Sequence, residues 1–447
     1  MVKVITYGTY DLLHYGHINL LKRAKELGDY LIVGVTAEGF DRERGKINVH
    51  QSLMERIEGV RSAGIADEII VEEYEGQKID DIRRLGVDVF TVGSDWKGKF
   101  DYLEKYCKVV YLDRTEGISS TEIRAGSSVK IGFVGNEAFI VKFAEGSESV
   151  NGLKSAGIYT DRADIFPESL QTSVFKGSYG EFLDGTDCVY FATPADRHEK
   201  QIEEALLAGK HVLCESPVAD SEKGCEKLFS LAEKRGLVLM DGIKTAYSLA
   251  YRRLLLLAQT GKIGRVVSVE STCTSLLPEA RLSDLDGEMK GIYDWGPTAL
   301  LPVFQLLGTE YVSKDIIVGY FDEEKKFDAF TEIRFLYPDA VANVKIGKGV
   351  KSEGELIVSG TKGYLYVPAP WWKSEYFEIR YENANENKRF FFQSENEGIC
   401  YELLSFCRNA ESGGGFSHIA REVSQAISKT VEEFEKGTNV KKIKFKR

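Results

Sequence analysis

The sequence predicts an α/β protein in three parts: a parallel sheet covered by helices over residues 1–126, a second parallel-sheet domain over 129–245, and an α+β domain with an open mixed sheet over 246–447. Three features point there. A chain of 447 residues is too long for one ordinary hydrophobic core and divides into two or three domains. Its first 245 residues alternate β-rich and helical runs, the order of parallel strands joined by crossover helices. Beyond residue 265 strand-like runs follow one another with turns between, as in a mixed sheet.

Val2–Tyr7 is β-rich and opens the first sheet. Leu20, Leu21, Ala24 and Leu27 recur at helical spacing, which predicts a helix over 17–28. Strands are expected at Tyr30–Val35, Glu68–Val71, Val87–Val92 and Lys108–Leu112, with helices over 51–63, 77–85 and near 100–106. Ala125-Gly126-Ser127-Ser128 reads as a linker. The second alternation starts with strand Val129–Val134 and continues through Cys188–Ala192, His211–Cys214 and Val238–Met240, with helices from 198 and 221. Strand-like runs from Val266–Thr274 to Arg389–Phe392 then precede a helix from about 398.

Composition narrows the function classes. Hydrophobic content of 43% with 28% charged residues describes a soluble globular protein. A net charge of −11 argues against a nucleic-acid surface, while leaving room for a local basic pocket. Seven cysteines, an odd number without metal spacing, suggest reduced thiols and a cytoplasmic location. The chain runs from its first residue into a strand, and no apolar run reaches membrane-spanning length, so neither a signal peptide nor membrane insertion is expected.

The chemistry is concentrated where the first strand hands over to the first helix, at Gly8-Thr9-Tyr10-Asp11-Leu12-Leu13-His14-Tyr15-Gly16-His17. Free backbone N–H groups and the dipole of a helix N-terminus favour phosphate, and two imidazoles add donors for charge developing on a phosphoryl group. An HxxH pair is also read as two ordinary histidines or as a metal pair. Arg114-Thr115-Glu116-Gly117-Ile118-Ser119-Ser120-Thr121-Glu122 follows the last strand, and Ser119 with Glu122 forms a capping-box pattern. Arg42-Glu43-Arg44-Gly45-Lys46 is a basic loop.

These motifs, over essentially all of residues 1–125, closely resemble the HxGH nucleotidyltransferases of the glycerol-3-phosphate cytidylyltransferase type. The resemblance implies transfer of CMP from CTP to glycerol 3-phosphate or a similar polyol phosphate, giving CDP-glycerol and pyrophosphate. It implies His14, His17, Lys46 and Arg114 as catalytic residues. CTP contacts would come from Gly8, Thr9, Tyr10, His14, Gly16, His17, Lys46, Arg114, Gly117, Ser119, Ser120 and Thr121, and substrate contacts from Asp11, Arg44 and Lys78. Mg²⁺ would accompany CTP, held mainly by its phosphates. One departure is Gly64, where the family usually has arginine; Arg61 lies nearby on the same helix.

The second region reads TDCVYFATPADRHEKQIEEALLAGKHVLCESPVAD and resembles the Gfo/Idh/MocA oxidoreductases, a Rossmann-like domain followed by an α+β domain whose sheet commonly forms a dimer interface. The resemblance implies NAD(P) and a homodimer, but the motifs depart from the family. Counting GxGxxG from Gly135, the next glycine positions are Glu137 and Ile140. The catalytic lysine of CEKP is Ser216, and Thr298 and Leu301 replace the histidine and last aspartate of DxGxHxxD. Lys244 is a candidate stand-in, His198 and Glu215 have structural readings, and Trp371-Trp372 reads as packing. Three functions follow for the fusion. Only the first domain is catalytic, serving a surface polymer; or the later region is an NAD(P)H reductase supplying the polyol phosphate; or it is a ligand-sensing module.

Overall fold

The structure is a computed structural model; it describes the chain except residues 12, 14, 38–48, 50, 75, 114–128, 137–138, 149, 151–152, 279–280, 282–284, 286–289, 375, 393–397, 413–416 and 446–447. It forms two compact units. The first comprises Met1–Ser128 with Val150–Gly152, the second Val129–Ser149 with Leu153–Arg447.

The first unit is built on β1 (Lys3–Gly8), β2 (Tyr30–Thr36), β3 (Glu68–Glu72), β4 (Val89–Gly93) and β5 (Lys108–Leu112), all parallel in the order β3-β2-β1-β4-β5. Because successive side chains point to opposite faces, Val4 joins Leu31, Val33 and Leu21 in the core on one face, and Ile5 joins Ile32, Phe90 and Leu103 on the other. Near-continuous apolar strands are what burial on both faces requires. Helices α1 (Tyr15–Lys25), α2 (Leu53–Ser62) and α3 (Gln77–Leu85) cover the sheet. Ser52 and Glu55 close a capping box at the start of α2, and Gly86 ends α3 in the left-handed region at φ +64°. The helix expected near 100–106 is instead a 3₁₀ turn over Asp101–Lys105. Phe100 and Leu103 are buried there, between Gly98 at φ +86° and β5, and the span is too short for an α-helix.

In the second unit, β6 (Val129–Gly135), β7 (Leu153–Tyr159), β8 (Cys188–Ala192), β9 (His211–Glu215) and β10 (Leu239–Gly242) make a second parallel sheet in the order β10-β9-β8-β6-β7. β7 and the helix α4 (Phe139–Glu148) are absent from the sequence reading. β7 carries Lys154 and Ser155, has Gly157 at φ +123°, and pairs with β6 through a register shift, so it shows no clean period. A nine-stranded sheet follows. It is mixed, with the strands Val266–Thr274 and Val341–Gly347 parallel and the pair Ser313–Asp322 and Phe327–Leu336 antiparallel. The second unit holds both this parallel sheet and the mixed sheet. The helix Ile399–Ser412 returns to α4, where Gly146 leaves room for Ile399; a Cβ there would lie 2.9 Å from Ile399 Cγ2. Among the described residues no helix is long and apolar enough to cross a membrane.

Candidate active site and a second cavity

In the first unit the chain leaves β1 toward β2 on one side and later returns to β4 on the other. The segment after β1 therefore sits at the switch point of the sheet, outside the strand carboxyl ends, where open α/β sheets bind ligands. Gly8 ends β1, and a Cβ on it would lie 3.0 Å from the ring of Tyr10. Tyr10 has φ +54° and is 1% exposed, with its ring edge toward His17 at 5.5 Å between centroids. Burial raises its phenol pKa, and the neutral ring packs against that of His17. Gly16 and His17 lie in the first turn of α1, which carries no acidic residue of its own and presents the positive end of the helix dipole.

Arg56 organises the surroundings. Fully buried on α2, it donates from Nη1 to the carbonyls of Thr9 and Thr36, each at 2.8 Å, and from Nε to that of Gln51 at 3.1 Å. One guanidinium thus ties the loop after β1, the end of β2 and the entry to α2. Asp11, 3% exposed, reinforces the same junction by accepting from Gln51 N–H at 2.9 Å. Lys78, expected at the substrate, is 7% exposed and forms a buried ion pair with Glu72, its ammonium 4.7 Å from the Tyr7 ring centroid. Glu72 also accepts from Thr36 Oγ1 at 3.0 Å. Arg61 is exposed and paired with Glu58. His14, Arg44, Lys46, Arg114, Gly117, Ser119, Ser120 and Thr121 lie outside the described residues. Arg56 escaped the sequence reading because, between Glu55 and Glu58 on an amphipathic helix, it looks like a surface charge.

The second unit holds a cavity of about 380 Å³ at the carboxyl ends of β8, β9 and β10. Ser216 and Thr298, where the resemblance expects lysine and histidine, both line it, together with His198, Glu215, Lys244 and Asp294. His198 is not available as a proton donor to this space. It is 2% exposed, its ring nitrogens lie 2.9 and 2.6 Å from the carbonyls of Pro217 and Thr193, and burial lowers its pKa. Glu215 accepts from Tyr190 Oη at 2.6 Å, and burial raises its pKa. Behind it Glu402, fully buried, is pushed up in the same way and further by Glu215. Asp241 is raised by burial to about 6, against the pull of the Ser424 and Ser216 hydroxyls. Trp371 packs as expected, 3% exposed, but Trp372 walls the cavity, 4.9 Å from Trp295.

Among the described residues at this end of the sheet, Gly135 and Ile140 do not form the cradle that a glycine-rich turn offers a dinucleotide. Gly135, at φ +149°, is required by the strands themselves, since a Cβ would lie 2.0 Å from the Ala192 carbonyl oxygen. Ile140, at the third glycine position, is fully buried, and its Cδ1 occupies the space beside Gly135. Asn136 Oδ1 accepts from Thr160 Oγ1 at 2.9 Å and from Asp161 N–H at 3.1 Å, which ties the turn to the end of β7. Glu137 lies outside the described residues.

The chain is similar to known proteins in two separate stretches. Residues 129–243 match the oxidoreductase family with an NAD-binding Rossmann fold. A dTDP-3,4-didehydro-2,6-dideoxy-alpha-D-glucose 3-reductase of Actinomadura kijaniata is 33% identical over 145 residues, 32% of this chain and 42% of that one. The fold of a 3-ketoreductase from the same organism, crystallised with NADP and TDP-benzene, covers 72% of this chain and 100% of that one, with a TM-score of 0.62 at 21% identity. At that identity the likeness is one of fold. The glycerol-3-phosphate cytidylyltransferase of Bacillus spizizenii is 51% identical over 124 residues, 28% of this chain and 95% of that one. Its Staphylococcus aureus counterpart is 49% identical over 124 residues, 28% of this chain and 93% of that one. With residues 5–126 matching the cytidylyltransferase-like family as well, the chain belongs to that family through its first unit and joins to it an oxidoreductase-type Rossmann domain.

Proposed function

We propose that the first unit transfers CMP from CTP to glycerol 3-phosphate or a close polyol phosphate. A phosphate oxygen of the acceptor attacks the α-phosphorus of CTP, the bond to the β-phosphate oxygen breaks, and pyrophosphate leaves. A phosphate monoester is already anionic near neutral pH, so no strong general base is required, and the work is positioning and charge stabilisation. His17 donates to the phosphates from the first turn of α1, and His14 of the same motif adds a second donor. Lys46 and Arg114 neutralise the triphosphate, and the segment Gly117 to Thr121 contacts the nucleotide. Mg²⁺ arriving with CTP would be held mainly by its phosphates and would add to their neutralisation; among the described residues no three His, Cys, Asp or Glu side chains converge on a metal position.

The observation that carries this reading is His17 in the acid-free first turn of α1 at the switch point of the sheet. The test is pyrophosphate release from CTP with glycerol 3-phosphate and Mg²⁺. His17→Ala should lower turnover by about 10²–10³-fold, the usual loss of one transition-state donor. Wild-type turnover in that variant would sink the role of His17. The second unit is not a hydride-transfer enzyme in this reading, because Ser216 and Thr298 supply no proton donor where lysine and histidine would.

A further inference from the structure

We propose that Tyr10 is a positioning residue for His17: its buried ring fixes where the imidazole stands at the start of α1. The proposal rests on the transfer reading given above, and it assigns Tyr10 a part other than the nucleotide contact that the resemblance implies. The backbone of Tyr10 has φ +54°, in the left-handed region, where a bulky side chain persists only if its surroundings over-determine it. Among the described residues two other non-glycine residues share that region, Lys326 and Asn439, and both are exposed, whereas Tyr10 is buried. Its neighbours supply the constraint. The Thr9 carbonyl accepts from Arg56 Nη1, and the Asp11 carboxylate accepts from Gln51 N–H.

With both sides held, the side chain has one direction to take. The ring turns back over Gly8, which has no Cβ in its way, and enters the core that Leu21 of α1 and Ile57 of α2 also fill. From there it meets the half-buried His17 imidazole at 65° between ring planes, an edge-to-face geometry that aromatic pairs prefer. The Tyr10 hydroxyl lies near that of Thr6, and among the described residues no partner closes a hydrogen bond to it. The flat ring is therefore the working part, not the hydroxyl. A donor to developing charge acts only from the right place, and His17 takes its place from this ring.

The test is a double-mutant cycle in the full chain, read as pyrophosphate release from CTP with glycerol 3-phosphate and Mg²⁺. Tyr10→Leu fills the same core without a flat ring, and kcat should fall about ten-fold or more while KM for CTP changes less than about two-fold. Tyr10→Phe keeps the ring and should recover the wild-type kcat to within about three-fold. In the His17→Ala background Tyr10→Leu should cost less than about two-fold, because its effect runs through His17. Hydrogen exchange of the β1 amides checks that each variant folds, and Tyr10→Phe, the nearest to native packing, can refute the proposal by itself. NMR of the His17 ring protons reads the same contact without turnover: their resonances should hold in Tyr10→Phe and shift in Tyr10→Leu. Equal losses of kcat with and without His17, a loss confined to KM for CTP, a large loss in Tyr10→Phe, or unmoved His17 resonances in Tyr10→Leu would each overturn the proposal. A wild-type chain that releases no pyrophosphate would instead strike the transfer reading, and the His17 resonances would still decide whether Tyr10 holds that ring.

Discussion

Replacing Arg56 tests whether one buried guanidinium assembles the transfer site. The side chain makes three charge-assisted hydrogen bonds to the Thr9, Thr36 and Gln51 carbonyls. Alanine would abandon all three in the core and threaten the fold, so Arg56→Lys is the informative change. A lysine ammonium at that depth can keep one of the three partners, and each lost charge-assisted bond is worth about 1.5–3 kcal/mol. Two such losses come to about 3–6 kcal/mol, a large share of the 5–15 kcal/mol that usually holds a domain. The same loss frees the loop that carries Tyr10 and leads to His17, and a misplacement of about 1 Å at a reacting centre commonly costs about 10²-fold in rate. Pyrophosphate release measures the rate, and hydrogen exchange of the β1 and β2 amides measures the stability of the first unit by itself. Both should fall together. Native protection and native turnover in Arg56→Lys would refute the clamp.

Three further expectations concern stability and independence. The folded chain binds the Asp241 proton more tightly than the unfolded chain does, with the pKa raised from 3.8 to about 6. Its stabilising effect is thus complete below about pH 4 and is lost as pH rises to 6 and beyond, about 3 kcal/mol in all at about 1.4 kcal/mol per pKa step. Asp241→Asn should flatten that part of the pH profile and raise the melting temperature of the second unit at pH 8; an unchanged pH slope would count against the buried acid. Gly135→Ala should strongly destabilise the second unit, since a Cβ would lie 2.0 Å from a backbone oxygen at φ +149°, and a native melting curve would contradict this. A fragment ending at Ser128 should fold and release pyrophosphate, because the five-stranded sheet closes within it; an inactive fragment beside an active full chain would show that the second unit completes the site.

The sequence by itself determined the α/β class and most of the alternation of strand and helix along the chain. Alternating β and helical runs imply parallel sheets by local periodicity, and the motif from Gly8 to His17 declares its strand-to-helix junction through the residues themselves. The two eroded motifs around Ser216 and Thr298 were likewise legible one by one, yet only folding brings both to a single cavity. β7, broken by Gly157 and by polar residues, has no period to read and is held in place by pairing with β6. Tertiary structure alone decided which charges are buried. Lys78 and Arg56 are both basic residues on amphipathic helices, and packing brings the first onto Glu72 beside Tyr7 and the second onto three carbonyls. Asp241 and Glu402 differ from solvated acids only in what surrounds them. Solvent exposure and hydrogen-bond partners are set by contacts distant in the chain, and local sequence carries no record of them.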